Sequence, residues 1–397
     1  MPSSIAARHR LAARSRYDRI MKAASPSALQ VVLGQGRRVA GCLSLAGILL
    51  VLTPTTGRSA PQPGPHDQRP AWEPLVRACL DDINHARFDD ALRCSDRLKS
   101  AFPASAAGPF VAATVYQTQM SNYRVRRFDP EFHREITEAI DRARAAAQND
   151  PSPENDFVWG AAEGYRCLYW FREGGWLKAV RAARRGASLL KKAYEQDPSL
   201  ADAQMGIALY NYGLSKVRLL GIPIFGNRDE KVDRLLKEAR DKARLIRVDA
   251  RYATQYVLVD RGEYARALPI SEGLVEQFPR DPVALYNLAL ILEHVGRQDE
   301  ARPLWHTLID VLNAFPPPSQ GFLAECYYHL ARIAHSDGDA ALAGRMIDRA
   351  WYHAWNRHAD QEIDGPYQST SDLRQAILHD RRTWPPPPPS DRNAQVQ

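Results

Sequence analysis

Cysteine is scarce in this chain, and the few residues present exclude simple metal chemistry. Five occur in 397 residues, and no two have the C-x2-C spacing of a zinc or iron–sulfur site. Histidine is no better placed: His353 and His358 are five apart and do not share one helical face. H-E-x-x-H, G-x-S-x-G and the phosphate-loop pattern are all lacking. Metal-assisted hydrolysis, serine nucleophilic catalysis and nucleotide transfer therefore have no signal. Alternating β-branched runs are also missing, so nothing reads as a sheet. No apolar run reaches the roughly 20 residues that a membrane-spanning helix needs. We expect a non-enzyme without metal or cofactor.

Acidic residues are nearly absent from positions 1–60. That segment holds nine Lys and Arg against Asp18 alone, a charge of +8. The whole chain carries only +7, so −1 is left for everything after it. An isoelectric point near 9.1 suggests nucleic acid only when the charge lies on the folded part. Here it does not, and no nucleic-acid partner is expected. The basic segment precedes the fourteen apolar residues Val39–Leu52. That length suits the core of a signal peptide, with cleavage near Gly57 or Ala60, or an uncleaved signal anchor in the inner membrane. Positive flanking charge holds the N-terminus in the cytoplasm, which leaves the folded part periplasmic or membrane-anchored outside it. Val39–Cys42 has the residue types of a lipoprotein box, but the apolar run follows Cys42 instead of preceding it.

Beyond a proline-rich linker at 61–71, the chain reads as helical hairpins at about 72–103, 107–149 and 155–196, a fourth with helices from 201 and from near 229, and three more at about 249–278, 282–312 and 321–355. Gly262 and Gly296 stand 34 residues apart. Tyr264 and Ala267 after the first glycine match Gln298 and Ala301 after the second, and Gly338 with Ala343 repeats the spacing. Each glycine suits the left-handed residue that ends a first helix. Ala289 with Ala301, and Ala331 with Ala343, suit the close crossing of two helices. Ala91–Pro103, Ala139–Pro151 and Ala267–Pro279 are each twelve apart, with proline ending the second helix. The fourth hairpin is irregular: GIPIFGNRD interrupts it, and Asp229 is a candidate N-cap for its second helix. Cys79 and Cys94 fall on the two helices of the first hairpin. Small buried thiols are the preferred reading and a disulfide the alternative.

A 34-residue period with small residues at fixed places resembles the tetratricopeptide repeat (TPR) superfamily over about 72–355. The fold expected is an all-α solenoid of about seven hairpins over 72–364. A C-terminal extension at 365–397 is expected to end in a disordered tail around the five prolines 385–389. The stretch 209–229 also resembles an exported bacterial TPR subgroup. The resemblance implies a protein-interaction scaffold whose first helices line a concave groove. Ten residues before the three glycines stand Tyr252, Tyr286 and Tyr328, which on this reading form a ladder of partly exposed rings. Glu293, His294, Arg332 and His335 stand beside them as candidates for orienting a protein or peptide partner. The alternative is an enzyme or small-ligand binder using an aromatic pocket of the third and fourth hairpins, where Phe157, Trp159, Tyr165, Tyr169, Trp170 and Phe171 cluster.

Overall fold

The computed structural model describes residues 70–384 apart from 220, 221 and 224. The expected signal or anchor at 1–60, most of the linker and the polyproline tail lie outside the described residues. Seven helical hairpins succeed one another. They are α1 (Glu73–Asn84) and α2 (Phe88–Ala101), α3 (Ala107–Tyr123) and α4 (Asp129–Asn149), and α5 (Pro153–Arg172) and α6 (Trp176–Gln196). Then come α7 (Ala203–Ser215) and α8 (Asp229–Lys242), α9 (Arg247–Asp260) and α10 (Tyr264–Gln277), α11 (Pro282–His294) and α12 (Gln298–Asn313), and α13 (Gln320–Ser336) and α14 (Ala340–Trp355). A single helix, α15 (Thr370–Thr383), covers the last hairpin with Leu373 and Ile377. Among the described residues no helix is long and apolar enough to cross a membrane, and no group of three or more His, Cys, Asp or Glu could hold a metal ion.

The repeat pattern acts through backbone geometry. Gly262, Gly296 and Gly338 adopt φ of +74°, +82° and +80°, the left-handed caps their spacing predicts. Ala289, Ala301, Ala331 and Ala343 are buried where each first helix crosses its second. In the first hairpin the same cap is Ala86, at φ +56°. With no glycine at that position, the glycine period alone does not reach this unit. The fourth hairpin does break. A two-residue strand pair, Arg218–Leu219 with Ile222–Pro223, separates α7 from α8. Asp229 is the first residue of α8 and not its cap. It pairs with Arg261 at 2.7 Å, while Asn227 Oδ1 accepts its N–H.

Cys79 and Cys94 are joined by a disulfide that ties α1 to α2. This corrects the preference for free thiols: α1 and α2 face one another so that the two Cα atoms stand 5.5 Å apart, within bridging range. Cys167 and Cys326 are free and buried.

The array also closes on itself. Asn122 on α3 donates to Asp281 across 159 residues of sequence, at 2.7 Å. Tyr123 stacks on Phe315 at 3.8 Å, and Arg127 donates to the carbonyl of Pro316. A strap after α14 completes the closure. Arg126 N–H donates to Gln361 O at 2.8 Å and Ile363 N–H to Arg124 O at 2.9 Å, around an antiparallel bridge of Val125 with Glu362. The Glu362 carboxylate accepts from Ser319 Oγ at 2.6 Å and from Gly321 N at 2.8 Å, satisfying the start of α13.

Candidate ligand-binding cavity

Because the superhelix closes on itself, the inward faces of the first helices line a partly open cavity of about 380 Å³. Phe110 from α3, Phe157 and Tyr165 from α5, Tyr210 from α7, Tyr252 and Tyr256 from α9 and Tyr286 from α11 supply an aromatic lining. The strap adds Pro366 and Tyr367. The Tyr367 ring stacks on Tyr256 at 6.1 Å and on Tyr286 at 6.2 Å. Room for the void comes from small residues. A Cβ on Gly186 would lie 2.8 Å from the carbonyl oxygen of Gly160, so α5 and α6 cross with their backbones in contact. A Cβ on Gly164 meets nothing within 4 Å, since Gly164 faces the void.

Three carboxylates reach this wall, and two are fully engaged. Asp202 accepts the backbone N–H groups of Arg244, Leu245 and Ile246 at 2.9, 2.7 and 3.1 Å. Asp281 caps α11 from Ala284 N at 2.8 Å and accepts Tyr252 Oη at 3.0 Å. Asp249, in the first turn of α9, has no ion pair and no hydrogen bond from another side chain among the described residues; only its own backbone N–H reaches it. Burial pushes its carboxyl up to about 6; its own N–H opposes the rise and the charge of Asp202 adds to it. Burial also raises the hydroxyl of Tyr165, with the charge of Asp249 contributing. Arg124 is the cation of the lining, and it is committed elsewhere. It pairs with Glu325 and lies over the rings of Phe322 and Tyr286 at 3.6 and 4.7 Å. Arg124 holds φ +52°, a conformation that costs a non-glycine residue about 1 kcal/mol or more.

The expected ladder of exposed tyrosines is not formed. Tyr286 is 2% exposed and donates to Glu325 Oε1 at 2.6 Å. Tyr328 is 8% exposed, because α15 covers it and Asp380 accepts its hydroxyl at 2.8 Å. Tyr252 is half-buried at the cavity wall. Tyr286 is therefore a core residue and not the partly exposed ring expected from sequence. Glu293 is held by Trp305 Nε1 of its own hairpin at 2.6 Å and by His329 Nδ1 of the next at 3.1 Å. His294, Arg332 and His335 are exposed. His294 stacks on Tyr264 at 4.0 Å and His335 on Trp384 at 4.3 Å, so neither joins Tyr252 and Tyr286 in the cavity.

The aromatic helix of the third hairpin divides by face. Phe157 and Tyr165 enter the cavity. Tyr169 and Trp170 pack instead beside His133 of α4, at 4.6 and 6.1 Å. Asp249 and the glycines of α5 and α6 are the residues that sequence reading missed. The signal that could have found them was Gly160, Gly164 and Gly186 at helical spacing.

No protein-family model matches the chain, and no curated protein matches it in sequence. Some solved structures resemble parts of the chain at low identity. YrrB, a TPR protein with an unusual peptide-binding site, is 18% identical, covers 60% of this chain and 96% of its own, and has a TM-score of 0.41. The Cut9–Hcn1 complex is 12% identical over 76% of this chain and 48% of that one, with a TM-score of 0.44. NprR, bound to its cognate peptide NprX, is 13% identical over 79% and 83%, with a TM-score of 0.36. These values concern the repeat fold and say nothing of ligand or partner here. The hairpin period, the left-handed caps and the alanine crossings are on their own those of an all-α, TPR-like solenoid, and that is the fold of this chain.

Proposed function

We propose that this chain is an exported or membrane-anchored TPR scaffold that holds a protein or peptide partner in the cell envelope. The observation that carries the reading is the strap. Its residues 361–363 pair with the α3–α4 connection around one isolated bridge, and Tyr367 lies among the rings of the concave face. That face thus already receives an extended segment with an aromatic anchor, the manner in which a partner peptide is held. Export is supported by the charge asymmetry of residues 1–60 and the apolar run at 39–52. The disulfide of Cys79 with Cys94 fits the oxidising compartment beyond the membrane.

Two experiments test the two halves. A fusion of residues 1–75 to alkaline phosphatase is expected to be active; an inactive fusion beside an active cytoplasmic reporter refutes export. A photo-crosslinking residue in place of Thr118, at the cavity wall, is expected to capture one envelope protein from cells. The same residue in place of the exposed Tyr352 is expected to capture none. Capture only from Tyr352 removes the concave face from the reading.

A further inference from the structure

We propose that the interior cavity is a binding site for a small, mostly apolar molecule carrying one cationic amine, with Asp249 as its counter-ion. This goes beyond the scaffold reading and does not depend on it. A void of about 380 Å³ lies in the size range of small-molecule sites. Scaled from a 150 Å³ cavity that takes benzene, it holds a ligand of about 15 non-hydrogen atoms. Its walls are aromatic and aliphatic, so most of that ligand must be apolar.

The polar groups fix the sign of the charge. Asp202, Asp249 and Asp281 line the wall against the single cation Arg124, which is already paired with Glu325. An anionic ligand would meet repulsion. Of the three carboxylates, Asp202 is saturated by backbone N–H groups and Asp281 by Ala284, Tyr252 and Asn122. Asp249 alone has capacity left. Asp249 is half-buried at the cavity wall with no partner side chain among the described residues, and an ammonium brought to it forms a charge-assisted hydrogen bond. The rings of Phe110 and Tyr165, paired edge-on at 5.3 Å, stand in the same wall. Their π faces also favour a cation.

Titration of the full chain with tryptamine, tryptophol and indolepropionate tests this, since the three share a ring and differ in the charge of the terminal group. Tryptamine is expected to bind, tryptophol about tenfold more weakly, and indolepropionate not at all. Asp249→Asn is expected to weaken tryptamine about tenfold while leaving tryptophol unchanged. Tryptamine affinity is expected to fall as the pH drops to about 5, where Asp249 takes up a proton. The titratable groups whose charge it feels are Asp202, Tyr165 and Tyr252, while Asp281 and the paired Arg124 line the same cavity. Loss of the pH dependence in Asp249→Asn assigns it to Asp249, and its persistence there overturns the assignment. Gly164→Leu, which fills the void from an open position, is expected to abolish binding of tryptamine and tryptophol. Equal affinity for the three probes, no binding of any at millimolar concentration, or full binding in Gly164→Leu overturns the proposal. Should Asp249→Asn fail to fold, the ranking of the probes on the unaltered chain and the Gly164→Leu variant still decide it.

Discussion

At the scale of single residues, two glycines on adjacent helices make opposite demands. Gly186 has the backbone of α5 against it, with the Gly160 carbonyl 2.8 Å from where a Cβ would stand. Gly186→Ala must push the helices apart and is expected to cost about 1–3 kcal/mol in denaturant unfolding. Gly164→Ala meets open space and removes a flexible residue from a helix interior. It is expected to gain up to about 1 kcal/mol by the same measurement. Asp249 supplies a pH signature. Its folded carboxyl, at about 6, lies above the ordinary carboxylate value of 3.8. The folded state therefore binds the proton more tightly than the unfolded one. No penalty arises well below pH 4, where both states are protonated, and stability is lost as the pH rises from there toward 6. The loss is bounded at about 3 kcal/mol. Melting curves of Asp249→Asn against the unaltered chain should coincide well below pH 4 and separate above pH 6, with the Asn variant the more stable.

Elements are legible in the sequence wherever a residue type carries its own conformation. Gly262, Gly296 and Gly338 mark the ends of α9, α11 and α13, because a left-handed cap favours the residue without a Cβ. GIPIFG marks the interruption after α7 for a related reason. The cap of the first hairpin is invisible because Ala86 occupies it, and α15 because its apolar residues are few and its partner surface lies on α13 and α14. The pairing of Cys79 with Cys94 depends on how two helices face each other, which spacing leaves open. That bridge closes a loop of 15 residues between α1 and α2. Replacing both cysteines by alanine is expected to cost about 3 kcal/mol by the chain-entropy relation. Chemical denaturation of the double variant checks this, and an unchanged midpoint would show that packing alone sets the hairpin.

At the scale of the whole molecule, the site is the least legible part. The glycine spacing brings Tyr252 and Tyr286 to one face, but that the face closes into a cavity depends on contacts between residues more than a hundred positions apart. Arg124, Phe315 and Glu362 make those contacts, and none belongs to the repeat pattern. Glu362 is the most economical point at which to test closure, since its carboxylate holds both Ser319 and the start of α13. Glu362→Ala leaves those donors unsatisfied and is expected to cost about 1–3 kcal/mol. Hydrogen exchange should then rise in α3 as well as in α13, though α3 lies far away in sequence. The strap changes the kind of unfolding to be expected. An open repeat array behaves as a one-dimensional chain of nearest-neighbour couplings and can melt inward from either terminus. Here the second unit is fastened to the sixth and seventh, and the first meets the end of the fifth through His85 against Phe278 at 5.3 Å, so neither end is free to fray by itself. Such a ring is expected to lose its units together, as a single domain does, and removing the seventh hairpin is expected to destabilise the second.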